Sequence, residues 1–338
     1  MVSMKSLLRD PDGLWPTIAA ISYIAVTYVG GWIALFQESI FFFILGTLAL
    51  AHSMTIAAYL MHDCGHNCIF KKTEYNTLLG RMLNAICGSN YGTYEDMRYK
   101  HMRHHIDNCE PLIFDYRAWL NRNPRIEKVI NALEWAYIPA VEFLMHGMQV
   151  IAPFVYDDKR DQRTRVIIIT AVRVSLFTAV LWFSPLAALG YFLAYTLFLT
   201  ILRFMDNFQH SYEIFYLLNN PDFMPPQKGN RQYEEENTYS NLLSHKMPWL
   251  NLLVLNFCYH NAHHEKPTLG WYKLPSLHKD MYQGNCPQEL TFWPQLVSFH
   301  KHRIGRIQAE EYGEGNVATQ LKNREAVGVN ALSFLTAF

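Results

Sequence analysis

Three residues, Gln37 to Ser39, separate two long apolar blocks of this chain, and two residues, Ser184 and Pro185, separate two more. The blocks run from Trp15 to Phe36, Ile40 to Met61, Val166 to Phe183 and Leu186 to Met205. Each is close to the ~20 residues an α-helix needs to cross a hydrocarbon core about 30 Å thick. Links this short force each pair into an antiparallel hairpin. The expected fold is therefore an all-α integral membrane protein with four transmembrane helices in two hairpins.

The basic residues orient it. Lys5 and Arg9 precede the first block, and Lys71 and Lys72 follow the second. Lys159, Arg160, Arg163 and Arg165 precede the third, while both hairpin tips lack Lys and Arg. The positive-inside rule then places both termini in the cytosol. The first block is long enough to remain a span rather than a cleaved signal.

Composition agrees. Half of the 338 residues are apolar and only 17% are charged, against about 25% in a soluble domain. Twenty-nine basic residues balance twenty-nine acidic ones, so no basic field recruits nucleic acid. The six cysteines form no C-x-x-C pair, which removes zinc-ribbon and thioredoxin readings. Reduced thiols fit better than a disulfide framework.

Between the hairpins, apolar residues recur at helical spacing from Val129 to Tyr156, with Glu134, Glu142 and Gln149 among them. This predicts one helix lying in the membrane interface. The run Leu250 to Cys258 is too short to span. Residues 1–305 read as one domain, and 306–338 as a polar tail of unreadable function.

The histidines carry the chemistry. There are fifteen, and three groups concentrate them: "HDCGH" (His62, His66), "HMRHH" (His101, His104, His105) and "HNAHH" (His260, His263, His264). With this composition an H-x-x-H-H motif is expected only about 0.03 times by chance, yet it occurs twice. On a helix, residues three and four apart share a face, so each group aims its imidazoles at one point. Imidazole suits iron, zinc, copper and nickel. Eight such ligands exceed the need of one ion, so two ions are expected. All three groups fall on the cytosolic side of the deduced topology. His210, in "MDNFQHSYE" just beyond the fourth block, is a ninth candidate ligand. His146, His245, His278, His300 and His302 read as ordinary surface or core residues, and His52 as a polar helix-packing residue.

These motifs resemble the three histidine boxes of the membrane-bound fatty acid desaturases, from the first block to about Trp271. "HDCGH" is similar to the first box of acyl-lipid desaturases that add later double bonds. "HNAHHEKPTLGWYKLP", His260 to Pro275, is similar to the third box with its trailing Pro-aromatic segment. The resemblance implies a cytosolic helical cap holding a di-iron site, O2 as co-substrate, and a lipid or acyl substrate. It implies an extra histidine after the fourth span, which His210 matches, and a nearby residue that holds a metal-bound water, either Asp206 or Asn207. The third box begins with His260, where front-end desaturases have glutamine. No haem module is visible, which implies an external electron donor of ferredoxin, rubredoxin or cytochrome b5 type. The expected reaction breaks unactivated C–H bonds, which general-base catalysis alone cannot do, so a metal cofactor must carry it.

Acids beside the boxes are candidates to orient the imidazoles through their second nitrogens. They are Asp63, Glu95, Asp96, Asp107 and Glu265, with Asp63 foremost because it lies between His62 and His66. Arg98 reads as an interfacial arginine, and Arg173 as a charge inside a span that snorkels or pairs in the bundle. Cys64 and Cys68 read as small buried residues rather than ligands. Two other functions compete with desaturation: a lipid or carotenoid hydroxylase or ketolase on the same scaffold, and a metal-binding or transport protein. Transporters place ligands near the bilayer midplane in interrupted helices, whereas here the ligands lie beyond the helix ends.

Overall fold

The apolar blocks form helices, three of which extend past the bounds read from sequence, while the first stops one residue short of Phe36. In the computed structural model, the described residues are 4–88, 91–212, 215–218, 220, 222–308 and 332–335. The helices are α1 Met4–Leu7, α2 Leu14–Leu35, α3 Ile40–Gly65, α4 Thr73–Ile86, α5 Tyr94–Asp107, α6 Tyr116–Arg122, α7 Pro124–Trp135, α8 Ala140–Val155, α9 Arg163–Phe183, α10 Pro185–Asp206, α11 Arg231–Glu236, α12 His260–Glu265, α13 Leu274–Tyr282, α14 Phe292–His302 and α15 Gly305–Gln308. Strands β1 Glu110–Leu112 and β2 Phe215–Leu217 pair in parallel. Four helical stretches are long and apolar enough to cross a membrane: Pro11–Leu35, Ile40–Gly65, Asp157–Phe183 and Pro185–Asp206. The protein is an all-α integral membrane protein.

The spans are unequal partners. Helix α3 packs along both α2 and α10, and glycine lets the backbones approach. A Cβ on Gly46 would stand 2.7 Å from the Gly31 carbonyl oxygen, as expected where helices associate through small residues. Helix α9 stands apart. Only 6% of its apolar window is buried against the rest, and it exposes Ile168, Val172, Leu176 and Trp182. A cleft of about 1040 Å³ lies beside it, lined by Tyr28, Trp32, Phe143, Val172, Tyr191 and Tyr195 among others.

The segment after the second histidine box departs from the single interfacial helix expected. It forms two helices, α7 and α8, broken at Tyr137, which takes a left-handed φ of 62°. A helix lying on the interface would leave its acids in water. Here Glu134 and Glu142 are buried and fully partnered, as buried charge requires. Glu134 accepts from Arg203 Nη1 at 2.7 Å and from the Val141 amide at 3.0 Å. Arg303 donates to the carbonyls of Glu134 and Trp135 at 3.3 and 2.9 Å, so this polar knot ties α7 to α10 and to the end of α14. Leu250 to Cys258 contains a 3-10 segment, Pro248–Val254.

Most of the tail, 309–331 and 336–338, falls outside the described residues. Leu332 to Leu335 is described and packs in the interior, with Leu332 and Leu335 each 2% exposed.

Candidate metal centre

Two candidate membrane helices and two helices outside the spans deliver the histidines. His62 lies in the last turn of α3, and His66 is its C-terminal cap residue. His101, His104 and His105 lie on α5. Thr93 caps that helix by accepting from the Asp96 amide, and Asn108 ends it in a left-handed conformation. His260, His263 and His264 lie on α12. His210 follows α10 and is held in a bridge to Thr238.

The nine side chains sort into two groups that can each hold a metal ion: His62, His66, His101, His105 and His263, and then His104, His210, His260 and His264. Within each, one ligand atom per residue lies within 4.8 Å of all the others. In the five-histidine group, His101 Nε2 lies 2.8 Å from His66 Nε2 and 3.1 Å from His105 Nε2, and His263 Nε2 lies 3.1 Å from His105 Nε2. In the four-histidine group, His210 Nε2 lies 2.9 Å from His104 Nε2 and 2.7 Å from His260 Nε2. Nitrogens about 2.1 Å from one ion and at right angles to each other stand about 3 Å apart, so these spacings fit shared coordination. The groups adjoin: the His105 and His264 ring centroids are 4.1 Å apart.

Electrostatics agrees with the geometry. Burial, reinforced by neighbouring imidazoles, holds His66, His101, His105, His210, His260 and His264 well below the usual histidine range, and His263 at about 3. Neutral imidazoles keep the lone pairs that a metal needs. Both ring nitrogens of His62 and the Nε2 of His264 are buried without a hydrogen-bond partner. Such orphaned atoms are rare in folded proteins, and a metal ion would satisfy one nitrogen of each ring.

The acids named from sequence largely look elsewhere. Asp63 Oδ2 accepts from the Trp271 amide at 3.0 Å, and its other oxygen is 3.6 Å from His62 Nδ1, too long for a hydrogen bond. Glu95 pairs with Arg81, and Asp96 with Lys159. Asp107 pairs with Arg103 and accepts from Tyr216, each at 2.6 Å. Glu265 pairs with Arg231. Asp206 does border the site: it lines a cavity of about 40 Å³ with His101, His104, His210 and His260. Asn207 is buried, and its Oδ1 has no partner.

One acid that sequence reasoning missed is hydrogen-bonded to a clustered histidine, and a second lies near another. His264 Nδ1 donates to Glu234 Oε1 at 2.8 Å. Glu110 lies 3.5 Å from His104 Nδ1, which donates to the Cys109 carbonyl at 3.2 Å. Burial raises both carboxyls above their ordinary values. No local pattern marks Glu234, thirty residues before its histidine in the run "EEE". Elsewhere, Arg98 donates to the Gly65 carbonyl at 2.7 Å, Arg173 donates to the Ala85 carbonyl at 2.8 Å, and His52 contacts the Leu253 carbonyl at 2.9 Å. Cys64 and Cys68 are buried. Of the remaining histidines, His146 and His278 are buried. His146 bonds Tyr195 at 3.0 Å, and His278 bonds Glu289 at 3.1 Å. His245 pairs with Glu289, and His300 bonds Tyr137.

No curated protein matches the chain. The family model for fatty acid desaturases matches residues 38–296, which include all nine clustered histidines. The chain belongs to the fatty acid desaturase family.

Proposed function

We propose that this protein is a membrane fatty acyl desaturase that introduces a double bond into a long acyl chain of a lipid or thioester. Membership of the family makes it a lipid-modifying oxidoreductase. The observation that carries the finer reading is the convergence of nine histidines into two adjoining ligand groups at the ends of α3 and α10. The likeness of "HDCGHNCIF" to the first box of acyl-lipid desaturases supports desaturation over hydroxylation.

All nine histidines are proposed ligands of two iron ions, whose chemistry is the activation of O2 for attack on an unactivated C–H bond. Overall, O2 takes four electrons and becomes two waters. Two electrons come from the two C–H bonds that are broken, and two from an external donor. The chain's own residues bind, orient and exclude. Glu234 fixes the tautomer and direction of His264, and the Cys109 carbonyl does the same for His104. Phe257, whose ring lies 4.7 Å from His62 and 5.2 Å from His260, keeps water from that side. Asp206 presents a carboxyl to the cavity, where it can hold a water. The apolar cleft beside α9 supports a substrate that arrives from the bilayer. The basic flanks of the spans support a cytosolic site, within reach of a soluble electron donor.

The test compares fatty acid methyl esters, by gas chromatography and mass spectrometry, from cells expressing the wild-type chain and a His101→Ala/His104→Ala variant. A new unsaturated acid made only by the wild type is the expected result. An oxygenated product would instead assign hydroxylation or ketolation.

A further inference from the structure

The far end of the chain sits on the metal centre. The Ser333 amide donates to Glu142 Oε1 at 2.5 Å, and its hydroxyl donates to Oε2 at 3.3 Å. The Phe334 amide donates to Asp206 Oδ2 at 2.8 Å. Gln149 Nε2 donates to the Leu335 carbonyl at 3.5 Å. The Phe334 ring lies 5.8 Å from His62 and 6.3 Å from His101, with Phe257 at 6.0 Å and Tyr59 at 6.1 Å. Leu332, Ser333 and Leu335 are buried.

This segment closes the space a substrate carbon must occupy. The cavity beside the histidines measures about 40 Å³, with Ser333 and Phe334 in its lining. At the ~10–15 Å³ that one water needs, it holds about three waters. Sites for organic ligands measure about 300–1,000 Å³. Something must therefore move before an acyl chain reaches the histidines. Of the ten other lining residues, five belong to helices, Lys100, His101 and His104 on α5, Asp206 on α10 and His260 on α12, and Glu110 and Pro111 belong to β1. Leu332 to Leu335 has no helix or strand of its own, and segments with few backbone bonds open at the lowest cost. Its side chains, Leu332, Phe334 and Leu335, are as apolar as the chain they would exclude.

We propose that Leu332–Leu335 is an internal strap that occupies the acyl-chain position over the metal centre and is displaced when a long acyl chain enters. The proposal rests on the lipid-oxidase reading of that centre. The strap makes the enzyme self-limiting: the substrate must outcompete a tethered segment of the same chain.

Photolabelling tests it without turnover. The full chain, a Ser333→Pro variant lacking the amide that Glu142 accepts, and a chain ending at Ala331 are each irradiated with an octadecanoic acid carrying a mid-chain diazirine. Labelled peptides are mapped by mass spectrometry. Labelling between residues 100 and 111 should rise about tenfold in both altered chains, the gain when a competent state populated about one part in ten becomes dominant. The synthetic peptide NALSFLTAF, residues 330–338, should suppress the gain in the shortened chain. Unchanged or weaker labelling overturns the strap, as does labelling that the peptide leaves untouched. If the shortened chain fails to accumulate, Ser333→Pro decides alone. A chain that labels as expected but oxidises no lipid sinks the desaturase reading and leaves the strap standing.

Discussion

The two histidine groups differ in number, support and outlook. The five-histidine group draws on three elements, α3, α5 and α12, and has one member more. Its second nitrogens are weakly held: both nitrogens of His62 and the Nδ1 of His105 lack partners. The four-histidine group has fewer members but supports for three of them, while His260 Nδ1 lacks a partner. Glu234 holds His264, the Cys109 carbonyl holds His104, and Thr238 Oγ1 lies 3.4 Å from His210 Nδ1. Three of its four members line the small cavity, against one of the five. As proposed metal sites, one group would gain its hold from ligand number and the other from orientation. The group facing the cavity has one histidine fewer, so a metal held there as proposed would have more room for a further ligand.

That contrast sets an order of expected effects. His260→Ala should be the most severe. It leaves three ligands on the cavity side, and product should fall by at least about a hundredfold with the loss of one metal ion. The check is product yield alongside metal content in the purified variant. His263→Ala, in the larger group, still leaves four ligands and should retain more metal and about tenfold more activity than His260→Ala. Equal losses in the two variants would break the comparison. Glu234→Gln should weaken metal affinity about 10- to 100-fold at one position only, read by titration with a chelator. Glu265→Gln, whose carboxylate faces Arg231 instead, should leave that titration unchanged. Asp63→Asn should have a small effect, on stability alone. Its oxygen can still accept the Trp271 amide, so thermal stability should shift by no more than about 1 kcal/mol and metal content should hold. Metal loss in Asp63→Asn would return Asp63 to the support of His62.

What the sequence reveals here is local or statistically improbable. The four spans follow from block length and apolarity, and the histidine groups stand out because two H-x-x-H-H motifs are so unlikely. Residues whose role depends on distant pairing do not show. Asp63 looked right because it adjoins His62, but neighbours on a helix do not face each other, and its carboxylate turns to Trp271 instead. Glu234 reaches His264 through a tertiary contact that no spacing announces. The burial of Glu134 depends on Arg203, about seventy residues later in the chain, and the turn at Tyr137 packs under the Arg303 guanidinium. Leu332 to Leu335 lies in a weakly patterned tail, and only the fold shows what it covers.

The most direct test of two adjoining metal positions is elemental analysis of the purified, detergent-solubilised chain by mass spectrometry, beside His260→Ala. Two iron ions per wild-type chain and about one in the variant are expected. A wild-type chain that binds a single ion, or a variant that keeps both, would contradict two adjoining metal positions.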